Sequence, residues 1–248
     1  MSGGNGGPGG RRTVRLYCLA HACGDARMYA PWSAWLPEHV QVYPVQLPGR
    51  GDRVGERPRW TLPEVLAEVL DAVDTRGPYA LFGHSLGALL AFEAAHRLRE
   101  RPPVRLIVSG HRAPHLPLRE EPTHHLPDEE FVARLAVLGG MPQIVLDNPE
   151  FLRMLLPAMR ADLTVSETYR YRERPTLDCP VSVFGGTEDP TVGRDELILW
   201  HRHTAGICRI TQFPGNHFYL TADPDPVLAA LAGELSGPAR SGGGLPAL

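Results

Sequence analysis

Three side chains in this sequence could together make a nucleophile at neutral pH: Ser85, Asp189 and His217. A serine hydroxyl attacks poorly until a neighbouring base takes its proton, and a histidine serves as that base when an acid fixes its orientation. Ser85 lies in Gly83-His84-Ser85-Leu86-Gly87, after the apolar, β-prone residues 79–82 and before Ala88, Leu89, Leu90, Ala91, Ala94 and Ala95. That is the pattern of a strand, a sharp turn and a helix. Glycines two before and two after the serine let strand and helix approach closely while the hydroxyl points outward. In a chain with 26 glycines the pentapeptide alone could be coincidence. The strand before it and the helix after it mark Ser85 as the nucleophile.

Asp189 closes Gly185-Gly186-Thr187-Glu188-Asp189-Pro190, just past an apolar run at 181–186, and His217 lies in Pro214-Gly215-Asn216-His217-Phe218, past another at 207–213. Nucleophile, acid and histidine therefore follow in that order, each beyond the end of a strand. Glu188 and Asp178 compete for the acid's role. In an extended turn Glu188 faces away from Asp189, and Asp178 precedes its strand, so Asp189 is favoured. A serine hydrolase of this architecture takes one oxyanion-binding N–H from the residue after the nucleophile and another from the loop after an early strand. Those positions are Leu86 and Ala22, the latter in His21-Ala22-Cys23-Gly24-Asp25 after the β-rich residues 14–20. His21 is expected to shape that loop, and His84 reads as a neighbour of the nucleophile without a role of its own. His201 and His203 read as a solvated helix face, since a zinc site would need further ligands nearby.

The elements that must hold these residues alternate. Strands at 40–45 and 104–109 join those already named, and residues 60–74 repeat apolar positions at helical spacing, as do 227–235. Alternating strands and helices give an α/β fold with a largely parallel sheet. Residues 114–175 break the rhythm with helical patterns and no strand, an insertion placed to cover the pocket over Ser85. One of its helices spans 128–138 and stops at Gly139-Gly140. The next opens with Asn148 as cap and Pro149 in its first turn, and Pro157 should kink or split it. The hydrolase domain is expected over 13–236, between Gly-rich residues 1–12 and Gly-, Pro- and Ser-rich residues 237–248, both expected to be disordered.

Composition excludes other chemistries. All 25 basic residues are arginine, so a Schiff-base lysine, a phosphate-loop lysine and a Ser-Lys dyad are impossible. A net charge of -3 recommends neither nucleic acid nor an anionic membrane as partner. The four cysteines lack zinc spacing and read as free thiols. No signal peptide or membrane span is apparent, which gives a cytoplasmic expectation.

Residues 14 to 235 resemble type II thioesterases, the free-standing α/β-hydrolases that accompany modular polyketide synthases and nonribosomal peptide synthetases. The resemblance rests on His21-Ala22-Cys23-Gly24, Gln46-Leu47-Pro48-Gly49-Arg50, Gly83-His84-Ser85-Leu86-Gly87, Leu138-Gly139-Gly140, Arg160-Ala161-Asp162-Leu163, Gly185-Gly186-Thr187-Glu188-Asp189-Pro190 and Gly215-Asn216-His217-Phe218. The chain departs from the family's pattern at Cys23, where glycine is common, and at Leu86, where methionine is frequent. If the glycine serves a positive φ, Cys23 is strained there and the oxyanion loop is reshaped.

The resemblance implies hydrolysis of acyl groups held as thioesters on the phosphopantetheine of acyl or peptidyl carrier domains, clearing wrong units from stalled assembly lines. No cofactor is expected, and a monomer is the expectation for an oligomeric state that the sequence leaves open. The resemblance also implies that the insertion is a lid, with Phe151 and Met159 limiting acyl length. Carrier domains are commonly acidic, and Arg170, Arg172 and Arg174 are candidates for their dock. Rival readings are a general esterase, an acyltransferase with the same triad, and a catalytically silent scaffold, against which the intact Ser, Asp and His set speaks.

Overall fold

Alternate residues along each central strand belong to different halves of the hydrophobic core. In β1 (Val14–Leu19) Tyr17 and Leu19 face one half, while Val14, Leu16 and Cys18 face the other. In β3 (Tyr79–His84) Tyr79 and Leu81 are opposed in the same way to Ala80 and Phe82. Strands apolar on both faces must be covered on both, and a parallel sheet between helical layers does that. The computed structural model describes residues 12–119, 121–137 and 143–236. Its sheet has six strands in the order β2-β1-β3-β4-β5-β6, every neighbouring pair parallel. The remaining strands are β2 (Val40–Val45), β4 (Arg105–Ser109), β5 (Val181–Gly186) and β6 (Cys208–Phe213).

One face is covered by α1 (Leu62–Ala72), α2 (Leu86–Arg97) and α6 (Arg194–Ile198), which is continued by a 3₁₀ turn over Leu199–His203. α1 starts on a capping box: Thr61 Oγ1 accepts from the Glu64 N–H at 3.4 Å while the Glu64 carboxylate accepts from the Thr61 N–H at 3.0 Å. α2 is buried from Leu86 to Ala95, which its alanines allow by letting it lie against the sheet. The other face carries the 3₁₀ segment Ala26–Ala34, with Tyr29 and Trp32 buried, then α7 (Tyr219–Ala222) and α8 (Pro224–Ser236). No helix among the described residues is long and apolar enough to cross a membrane.

Between β4 and β5 lie α3 (Asp128–Val137), the short α4 (Gln143–Leu146) and α5 (Pro149–Glu167). These helices close a separate small core in which Phe131, Leu135, Val145 and Met159 are buried. The sequence did not indicate α4. α5 starts on the Asn148 cap, whose side chain accepts from the Phe151 N–H at 3.0 Å, and it runs unbroken through Pro157. The proline removes one helical hydrogen bond. Ties on both sides of it, the cap upstream and Arg160, Asp162 and Glu167 downstream, hold the helix together across the gap. Residues 1–11, 120, 138–142 and 237–248 lie outside the described residues, and with them Gly139-Gly140 and, apart from Arg12, both expected tails.

Candidate active site

β3 ends at His84, and the chain turns through Ser85 into α2 with φ 54° and ψ -118° at the serine. A non-glycine residue takes that backbone only when its surroundings impose it. They do so here through the Ser85 N–H, which donates to the Ser109 carbonyl at the end of β4 (2.8 Å). The flanking glycines make the turn possible. A Cβ on Gly83 would lie 2.0 Å from the Gly87 carbonyl oxygen, and one on Gly87 would lie 2.2 Å from that of Leu19. The elbow leaves Ser85 half-buried at a cavity of about 190 Å³. Leu86 is the first residue of α2, so its N–H has no carbonyl one turn back to bond to.

The same cavity is lined by His21, Ala22, Cys23, His111 and His217. Behind His217 lies Asp189, whose side chain is fully buried. His217 Nδ1 donates to Asp189 Oδ2 at 2.7 Å, while Asp189 Oδ1 accepts from the Thr191 N–H (2.8 Å) and hydroxyl (2.7 Å). Burial would raise this carboxyl, but the bonds from His217 and Thr191 hold it below the usual aspartate range. It is therefore an anion that fixes the histidine's tautomer. Glu188 is exposed in a turn at 187–188, and it is Asp189 that bonds His217. The structure thus brings Ser85, His217, Asp189, Ala22 and Leu86 to the ends of β1, β3, β5 and β6.

Several residues gain roles that the sequence did not give them. His84 is buried, packs its ring 4.9 Å from that of His217, and shares a hydrogen bond with Ser109 Oγ (2.8 Å). Ser109 Oγ in turn meets the Tyr219 hydroxyl at 2.6 Å. His84 thus packs behind His217, and burial drives its pKa well below 6.5, so it stays neutral. Burial likewise lowers the pKa of His21 to about 4, and its ring packs against Phe218.

The inserted segment supplies the far side of the cavity with Leu118, Thr123, Leu135, Leu163, Ser166 and Glu167. Phe151 is exposed and Met159 sits in the small core, so neither lines it as expected. The reason is position along the helix: Met159 shares the face of Leu163 and Glu167 but lies one turn nearer the start of α5, where Phe131, Leu135 and Val145 enclose it. His203 is buried and shares a hydrogen bond with His115 (2.8 Å), so it is not on a solvated face. Arg174 is held by Glu93 (Nη1 to Oε2, 3.0 Å) and lies over the Phe92 ring, so it is no rim cation. Arg170 and Arg172 are exposed. All four cysteines are free, and burial pushes the thiols of Cys18 and Cys23 up.

A sequence model of the thioesterase domain family matches residues 14–234. The chain belongs to the thioesterase family. It is 40% identical to Thioesterase PikA5 of Streptomyces venezuelae over 86% of this chain and 78% of that protein. It is 37% identical to the gramicidin S biosynthesis protein GrsT of Aneurinibacillus migulanus over 84% and 83%. Among solved structures it superposes on the type II thioesterase BorB from the borrelidin biosynthetic cluster with a TM-score of 0.82 at 40% identity, covering 92% of this chain and 95% of that one. On RedJ, the thioesterase of the prodiginine pathway in Streptomyces coelicolor, it scores 0.83 at 39% identity over 90% and 91%. The thioesterase is an α/β-hydrolase that cleaves thioesters with a serine, and it falls among the type II thioesterases.

Proposed function

We propose that this thioesterase removes short acyl groups from the phosphopantetheine arm of acyl or peptidyl carrier domains in a modular synthase, through a Ser85-His217-Asp189 triad. The observation that carries the reading is the strained Ser85 elbow opening on the same cavity as His217, with Asp189 bonded behind the imidazole. His217 takes the Ser85 proton as Oγ attacks the thioester carbonyl. The Ala22 and Leu86 N–H groups hold the resulting oxyanion, where the positive end of α2 adds to the field. Collapse expels the pantetheine sulfur, which His217 protonates, and leaves an acyl-Ser85. Water, deprotonated by His217, then attacks the acyl carbon and releases the acid.

The carrier assignment draws on the relatives named in gramicidin S, borrelidin and prodiginine biosynthesis. Acyl length is argued from the cavity. At about 190 Å³ it is smaller than the roughly 300–1,000 Å³ of pockets that take drug-sized ligands. Leu118, Leu135 and Leu163 give it an apolar lid side suited to a few carbons rather than a long chain. Intact-protein mass spectrometry of a carrier loaded with a short acyl group tests the reading. The acyl mass should disappear with the wild-type enzyme and persist with Ser85→Ala. A carrier left acylated by the wild type across several short acyl groups would redirect the assignment to small esters or acyl transfer.

A further inference from the structure

The loop that carries Ala22 holds the other strained residue of the site. Cys23 has a φ of 68°, and it and Ser85 are the only non-glycine residues with positive φ among the described residues. An L side chain is disfavoured there because its Cβ crowds the backbone, so the conformation persists only where something outside the loop imposes it. The Cys23 N–H donates to Asp162 Oδ2 at 2.8 Å, across the cavity on α5. Asp162 is 2% exposed and is gripped by the Arg50 guanidinium on both carboxylate oxygens, with Nη2 to Oδ1 at 2.8 Å. Arg50, itself 6% exposed, comes from the loop after β2. Three segments that are distant in sequence therefore meet at one carboxylate. Its third bond goes to the peptide joining Cys23 to Ala22.

We infer that the Arg50–Asp162 pair is a positioning device for the oxyanion hole, holding Cys23 in its left-handed conformation and thereby aiming the Ala22 N–H. The inference rests on Ala22 being an oxyanion donor, as proposed above. The arginine holds the carboxylate in a plane, because a bidentate fork leaves it little freedom to turn. The carboxylate fixes the Cys23 N–H, and that sets the Ala22–Cys23 peptide plane. Without this anchor Cys23 relaxes toward negative φ and the loop turns its donor away. Since α5 also presents Leu163 to the acyl group, the tie makes the oxyanion hole complete only when the wall that measures the acyl chain is seated.

The test separates positioning from mere support of α5. Asp162→Asn weakens the anchor. The pair Arg50→Met with Asp162→Leu removes it without leaving a buried charge unpaired, a replacement that often leaves stability intact. Each is made with and without Cys23→Gly, which lets the loop adopt positive φ at little cost. Activity is read on p-nitrophenyl acetate, and oxyanion binding on an aliphatic trifluoromethyl ketone against the methyl ketone of equal length. In the anchor variants kcat and trifluoromethyl ketone affinity should fall together by about 10- to 100-fold, less than or comparable to losing a donor outright. KM and methyl ketone affinity should change less than about 2-fold, and Cys23→Gly should restore most of the loss. Unchanged kcat in the anchor variants, or a loss that Cys23→Gly does not relieve, overturns the inference. A wild type that cleaves the ester yet ignores every acyl carrier would sink the carrier reading and leave this one standing.

Discussion

The two sides of the cavity are held by different means. On the sheet side each residue of the proposed triad follows a strand whose end is stitched by backbone bonds: Ser85 N–H to the Ser109 carbonyl, Gly110 N–H to that of Phe184, and Thr187 N–H to that of Phe213. On the side of the inserted helices the ties run through side chains. Arg160 reaches the Leu126 carbonyl and Asp128, and Glu167 accepts from the backbone and side chains of Thr123 and His124. Backbone stitching cannot be altered by substituting a side chain, whereas each tie on the helical side depends on one residue. Apart from the Asp162 tie to the oxyanion loop, rate should therefore be governed from the sheet side and selectivity from the helical side.

The largest blow to that division would be a tolerant Ser85. Ser85→Ala is expected to lower kcat by something on the order of 10⁶, as where a triad acts as a unit, and single-turnover mass spectrometry would show no acyl-enzyme. Asp189→Asn should cost about 10⁴ in kcat with the melting temperature little changed. A loss below tenfold would mean that another group orients His217.

Acid should weaken the sheet side. Burial lowers His21 and His111 from 6.5 to about 4, and lowers His84 as well. Between those values the unfolded chain binds protons that the folded chain refuses, so stability falls as pH drops from about 6.5 toward 4. The slope is up to about 1.4 kcal/mol per pH unit for each histidine. Urea midpoints at pH 7.5, 6 and 5 should decline in that order, and a flat series would contradict the burial argument.

Smaller effects belong to the helices. Leu163→Ala should move the preferred acyl chain by one or two carbons, with about a tenfold change in relative kcat/KM between neighbouring lengths and little loss on the best substrate. Phe151→Ala, at an exposed position on the same helix, should leave the length profile unchanged and stability within about 0.5 kcal/mol.

What the sequence disclosed follows the same division. Ser85, Asp189 and His217 were legible because each lies in a short motif just past a β-prone run, so strand prediction and chemistry reinforced each other. The parallel sheet followed from the alternation of elements. Thr191 could have been read too, since it stands two residues beyond the acid and its hydroxyl is the kind of group that steadies a buried carboxylate. His84, Ser109 and Tyr219 could not, because their chain of hydrogen bonds joins positions far apart in sequence. His203 looked solvated because a His-x-His on a helix carries no sign of the His115 and Trp200 rings that enclose it. The sequence likewise hides the tie on Arg174, because its partner Glu93 lies far away in the chain on α2. The conformation of Cys23 was anticipated as a consequence of glycine's absence, but the group that imposes it, Asp162, appeared only as part of an unexplained motif.

The Ser85 elbow also means that the catalyst is not the most stable protein this sequence could encode. A non-glycine backbone at φ 54° and ψ -118° carries about 1–3 kcal/mol of strain, more than the roughly 0.5–1 kcal/mol of chain entropy a glycine would add to the unfolded state. Ser85→Gly should accordingly melt higher than the active enzyme while hydrolysing nothing. Drift toward robustness at this position leads away from catalysis, and only selection for turnover keeps the weaker fold.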